Sequence, residues 1–125
     1  VLALAAALVG CEKEIKPDKP GAIVNGGAVP RVPNTTNVSF EGVEGESMVI
    51  ALDLEGIAVS TGSACSSGTL EPSHVLRAMS LPPARVEGAV RFSLGPQTTS
   101  AEIDRVIEAV PIVVARLRAR GRTRG

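Results

Sequence analysis

The chain has 125 residues, 44% of them hydrophobic, and a formal net charge of zero. That allows one domain with one modest core, and it excludes a chain drawn by overall charge to nucleic acid or to a membrane surface. Two phenylalanines and no other aromatic leave the core to aliphatic side chains, and two cysteines do not make a disulfide framework. The reducing cytoplasm is the expected compartment.

Residues 1–11 (VLALAAALVGC) are apolar and too short to span a bilayer as a helix. Leu8 to Cys11 resembles a lipoprotein cleavage box, but no basic segment precedes the run, which favours the end of a helix. Residues 12–21 combine charges, two prolines and a glycine, as a linker or exposed turn does. All three lysines lie there, at Lys13, Lys16 and Lys19. Residues 25–36 read as irregular. Residues 37–40 alternate polar and apolar and predict a short strand. Residues 44–55 predict a helix, with acids early and Gly56 just past its end. Residues 57–60 predict a second strand.

Pro72 suits the first turn of a helix with Val75, Leu76 and Met79 on its apolar face, ended by Pro82 and Pro83. Residues 89–94 predict a third strand, Val90, Phe92 and Leu94 on one face and Arg91 and Ser93 on the other. Thr99 and Glu102 form a capping box for a last helix, whose apolar stripe is Ile103, Val106, Ile107, Val110, Val114 and Leu117. Pro111 predicts a kink in it. Charge is uneven. Residues 41–55 hold five acids and no base, and residues 116–124 hold five arginines and no acid, read as a solvated terminus. The order of elements predicts a two-layer α/β sandwich, a small mixed or antiparallel sheet of about three strands with helices packed on it.

The chemistry centres on residues 61–74 (TGSACSSGTLEPSH). Cys65 sits among Gly, Ala, Ser and Thr, so nothing bulky shields its sulfur. An accessible thiol on such a loop is a candidate nucleophile. A phosphatase-type loop is excluded, because the position where an arginine would hold phosphate is Glu71. A zinc site is disfavoured, since Cys11, Cys65 and His74 are the only thiolate or imidazole donors and no CxxC is present. Arg91 offers a planar fork that matches a carboxylate. His74 is read as structural or loop-positioning. Asn34 and Asn37 flank the first strand, where an amide can cap a turn or hydrogen-bond a substrate, and turn chemistry is the expectation.

Residues 61–74, together with 33–40 (PNTTNVSF), 41–47 (EGVEGES), 51–60 (ALDLEGIAVS), 90–95 (VRFSLG) and 98–104 (TTSAEID), resemble the cysteine desulfurases of the NifS/IscS type, in the family's order. The resemblance runs from about Asn25 to Leu117. It implies the small C-terminal domain of a fold-type I pyridoxal-phosphate enzyme, at residues 25–117. Residues 1–24 are then a truncated helix and charged linker, and 118–125 a basic tail. It implies that Cys65 takes sulfur from L-cysteine as a persulfide, releasing alanine, and that Arg91 grips the substrate carboxylate. It further implies a homodimer and a sulfur acceptor or iron–sulfur scaffold protein as partner, with any iron–sulfur contact made through the Cys65 persulfide. No lysine stands in the family's Ser-x-His-Lys setting and no glycine-rich loop precedes a helix. Pyridoxal phosphate is therefore expected on an upstream domain, and the chain by itself is expected to be inactive. The alternatives are a cofactor-less sulfur carrier or a remnant lipid-anchored at Cys11.

Overall fold

The computed structural model of the protein describes residues 21–27, 29–30, 32–62 and 72–123. The apolar run with Cys11, the linker with the three lysines, and the Cys65 stretch at 63–71 lie outside the described residues.

Strand β2, Thr35–Phe40, is the centre of the sheet. Its alternation sends Thr36, Val38 and Phe40 to one face and Thr35, Asn37 and Ser39 to the other. Strand β1, Ala22–Asn25, pairs antiparallel along one side, with Val24 opposite Val38 and Asn25 opposite Asn37. Strand β3, Ala89–Ser93, pairs antiparallel along the other, with Val90 opposite Val38 and Arg91 opposite Asn37. One face of the sheet is thus apolar apart from Thr36, and the other carries the polar residues together with Ile23 and Ala89.

The apolar face is covered by helices α1, Gly45–Leu54, and α4, Ser100–Arg122. Val38, Phe40, Val90 and Phe92 pack with Met48 and Leu52 of α1 and with Val110, Val113 and Val114 of α4. Each such side chain, fully buried, contributes on the order of 1.5–3 kcal/mol. Two short helices, α2, His74–Ala78, and α3, Pro83–Glu87, form a smaller apolar cluster of Leu76, Leu81, Val86 and Ala89. Ala89 belongs to the sheet's other face, so the layers number two with a partial cover behind. The α/β sandwich expected from the sequence is the architecture found.

Helix ends follow their residues. The Thr99–Glu102 capping box forms, with Glu102 Oε2 accepting from Thr99 N at 2.7 Å. At the C-terminus of α1, Gly56 takes φ +77°, its N–H donates to Asp53 O, and the Ile57 N–H donates to Leu52 O. This is a Schellman closure, with Ile57 packed near Leu52. It also corrects the strand expected at 57–60. The Ile57 N–H is spent on α1, and only Ser60 bridges to β3, opposite Arg91. The third strand is instead β1, in a short run that sequence reading passed over. Helix α2 stops earlier than expected, at the left-handed Ser80 (φ 58°), and Pro83, expected as a terminator, opens α3. Helix α4 continues through Pro111, which is exposed, and through the arginines to Arg122.

Two of those arginines, Arg116 and Arg118, are not simply solvated, and Arg105 earlier in the helix joins them. Arg105 donates to Glu55 O at 2.6 Å, and Arg116 pairs with the Glu55 carboxylate at 3.3 Å. Arg118 donates twice to Glu41 O, at 2.8 and 2.5 Å. The pairing of Arg116 is at the surface and contributes at most about 1 kcal/mol.

Two glycines lock the sheet to its helices through close backbone approach. A Cβ on Gly45 would lie 2.6 Å from Ala89 O, and one on Gly88 would lie 2.6 Å from Phe40 O. The contacted atoms are backbone and cannot rotate away. Gly45→Ala and Gly88→Ala are each expected to destabilise the fold by about 1–3 kcal/mol, read as a lowered urea midpoint. Thr99→Ala, which removes the cap of α4, is expected to cost about 1 kcal/mol in the same measurement.

Candidate active site on the polar sheet face

Arg91 leaves β3 on the polar face and is exposed. Its N–H donates to Ser60 O at 2.6 Å, and its C=O accepts from Ser60 N at 3.2 Å. In an antiparallel sheet both backbone groups of a residue point to the same neighbour. Arg91 therefore spends them on Ser60, and its pairing with Asn37 is of the non-hydrogen-bonded kind, in which the side chains stand closer. No described residue pairs with the Arg91 guanidinium.

Ser60 is also the gateway to the Cys65 stretch. Its Oγ accepts from Gly62 N at 3.0 Å, and Gly62 takes φ +82°, a turn that suits glycine. On the far side, Ser73 caps α2 by accepting from Leu76 N at 3.4 Å, and Arg77 donates to Pro72 O at 3.2 Å. Both ends of the stretch that holds Cys65 are thus anchored. Cys65 follows Ser60 by five residues, a covalent reach of about 18 Å at most. His74, the first residue of α2, is exposed.

Behind the open part of the face lies a buried polar network that sequence reading missed. Asn25 donates from Nδ2 to Asn37 Oδ1 and to Ser39 Oγ, both at 2.7 Å. Arg85 of α3 donates to Asn25 Oδ1 at 2.6 Å, and Ser39 Oγ donates to Arg85 O at 2.6 Å. Asn25 and Ser39 are buried. The Arg85 Nε is buried without a partner among the described residues. Asn37, expected at a turn, sits inside β2 instead, because the strand begins two residues earlier, at Thr35. Asn34 lies in the preceding turn, where its C=O accepts from Leu94 N at 2.8 Å. The alternation of Asn37 with Val38 and Ser39 was readable; its partner Asn25, 12 residues earlier, and the Arg85 that orients Asn25 from 60 residues further on, were not.

The sequence matches the aminotransferase class-V description over residues 17–106. The chain belongs to the aminotransferase class-V family. Among class-V relatives it is 56% identical over 100 residues to a cysteine desulfurase of Trichormus azollae, covering 80% of this chain and 25% of that protein. It is likewise 56% identical over 99 residues to the cysteine desulfurase NifS of Azotobacter vinelandii, covering 79% and 25%. Among solved structures, a NifS-like protein superposes with a TM-score of 0.71 at 26% identity, over 93% of this chain and 26% of the other. A second, from Rickettsia africae, gives 0.63 at 28% identity, over 80% and 24%. The chain spans about a quarter of the length of these relatives.

Among its described residues this class-V chain offers no Schiff-base partner for pyridoxal phosphate. Those residues include no lysine, and the N-terminus of the long helix is closed by the Thr99–Glu102 box. Among the described residues no group of three or more His, Cys, Asp or Glu could hold a metal, and no helix is long and apolar enough to cross a membrane. A shallow groove lined by Val49, Ile50, Asp53, Leu54, Ala58 and Val59 carries one carboxylate and no nucleophile. Among the described residues, Arg91, Asn37 and the network of Asn25, Ser39 and Arg85 share the polar sheet face.

Because Asn25 bridges three partners, its removal leaves buried groups unpaired. Asn25→Ala is expected to destabilise the fold by about 1–3 kcal/mol, seen in chemical denaturation.

Proposed function

We propose that this chain is the C-terminal part, over residues 25–117, of a pyridoxal-phosphate-dependent cysteine desulfurase. The observation that carries the reading is Arg91. Its guanidinium stands exposed and unpaired among described residues, one backbone bridge from the segment that leads to Cys65. The 56% identity to cysteine desulfurases supports the same reading.

In this reading Arg91 takes the α-carboxylate of L-cysteine in a charge-assisted fork. That holds the substrate's own sulfur toward the Cys65 thiolate. The sulfur–sulfur bond forms as the substrate's carbon–sulfur bond breaks, and the carbon takes up a proton. L-Cysteine and the Cys65 thiol become alanine and a Cys65 persulfide. Sulfur is oxidised as carbon is reduced, so no outside oxidant is required. The persulfide then passes its outer sulfur to an acceptor, such as an iron–sulfur scaffold protein. The cofactor is held by residues outside those described here, in an enzyme that acts as a homodimer. The reading takes the cytoplasm as its compartment, because the chemistry needs a reduced thiol.

The small side chains around Cys65 serve this role, since a stretch that visits both substrate and acceptor has to absorb large backbone changes.

The test is steady-state kinetics on the full-length protein that carries this region. Cys65→Ser is expected to bind L-cysteine yet form no persulfide, because a hydroxyl is far less ionised than a thiol at neutral pH. Arg91→Ala loses a charged hydrogen bond of about 1.5–3 kcal/mol, so its KM for L-cysteine should rise at least about tenfold. Near-normal turnover by Cys65→Ser, or an unchanged KM for Arg91→Ala, would remove that residue from its role. The 125-residue chain alone, given pyridoxal phosphate and L-cysteine, is expected to release no alanine.

A further inference from the structure

The buried network has a direction, and the direction is set by Arg85. A guanidinium carries only donors. Asn25 must therefore turn its Oδ1 toward Arg85, whose Nη2 lies 2.6 Å away. The amide of Asn25 is then fixed, and its Nδ2 faces β2, donating at 2.7 Å to Asn37 Oδ1 and to Ser39 Oγ. Ser39 accepts from Asn25 and gives its own proton to Arg85 O at 2.6 Å, which closes the ring of bonds. Asn37 consequently has to offer its oxygen to Asn25. Its Nδ2, with two hydrogens, is left turned away from the network and meets no described partner.

Asn37 is half-buried and lies directly across from Arg91, on the same polar face. The pair is of the close, non-hydrogen-bonded kind derived above. Together the Asn37 Nδ2 and the Arg91 guanidinium present donors and no acceptor. Such a pair suits an oxyanion with two oxygens and disfavours a cation. A flipped Asn37 would put an acceptor beside the guanidinium instead, and Arg85 prevents the flip through Asn25, which is hydrogen-bonded to both.

We propose that Asn37 is a second substrate-binding residue for the carboxylate of L-cysteine, and that Arg85 and Asn25 are positioning residues that keep its amide turned donor-side out. The proposal rests on the desulfurase reading of Arg91.

The test is steady-state kinetics on the full-length enzyme, with melting temperatures measured alongside. Asn37→Asp is nearly isosteric and still accepts from Asn25, but it replaces the outward donor by an acceptor. Its KM for L-cysteine is expected to rise more than about tenfold, against about three- to tenfold for Asn37→Ala, with kcat within about threefold of wild type in both. A residue that only supported the sheet would give the opposite order, since Asp keeps the bond to Asn25 and Ala does not. Arg85→Gln, whose amide can face Asn25 either way, is expected to raise KM, and Arg85→Lys, which again only donates, to restore most of the affinity. Should Asn37→Asp fail to fold, Asn37→Ala decides. A KM within about twofold of wild type for the folded Asn37 variants, or a loss confined to kcat, overturns the proposal. If this happens while Arg91→Ala still raises KM, the desulfurase reading stands and only the role of Asn37 falls. If Arg91→Ala also leaves KM unchanged, both fall together.

Discussion

The pairing of Thr35–Phe40 with Ala89–Ser93 is the constraint from which the rest of the structure follows. It sets Val38 against Val90 on one face and Asn37 against Arg91 on the other. A slip of one residue would send Val90 and Phe92 to the polar side and drive Arg91 into the core. The burial of Val38, Phe40, Val90 and Phe92 under α1 and α4 makes that slip prohibitively costly. The register that protects the core is therefore the same one that presents Arg91 beside Asn37.

The helices hold that register through contacts of different kinds. Gly45 and Gly88 bring the start of α1 and the turn before β3 within backbone distance of the sheet. Arg105, Arg116 and Arg118 fasten α4 to the end of α1 and to the turn after β2. Arg105 and Arg116 reach the C-cap residue of α1, where a positive charge also meets the negative end of the helix dipole. Helix α4 thus works on both sides: apolar side chains fill the core and basic ones tie down its margins.

The polar face is built on the same economy of elements. Helix α3 covers one end and supplies Arg85, whose charge orders Asn25, Asn37 and Ser39. The end left exposed among the described residues carries Arg91, and Ser60 bridges to the edge of β3 there. That bridge links the arginine to the chain entering the Cys65 stretch.

Local signals were legible wherever the residues themselves decide the outcome. Thr99 with Glu102, Gly56 after α1, the alternation in β2 and β3, and the stripe of α4 each stand in a few consecutive positions. The motifs around Cys65 and Arg91 carry the family resemblance in the sequence itself. What the sequence could not determine was competition between partners. Residues 57–60 have strand-like composition, but Ile57 gives its N–H to the end of α1, so β1 supplies the third strand instead. Pro83 has the look of a terminator and starts a helix, because Ser80 had already turned the chain. Asn37 has the residue type of a turn and lies inside a strand. Its orientation depends on Arg85, a residue 48 positions later that reaches it only through Asn25. Caps and periodicities are short-range energetics and are written locally, whereas the side an amide turns to is fixed by donors that only the folded chain brings together.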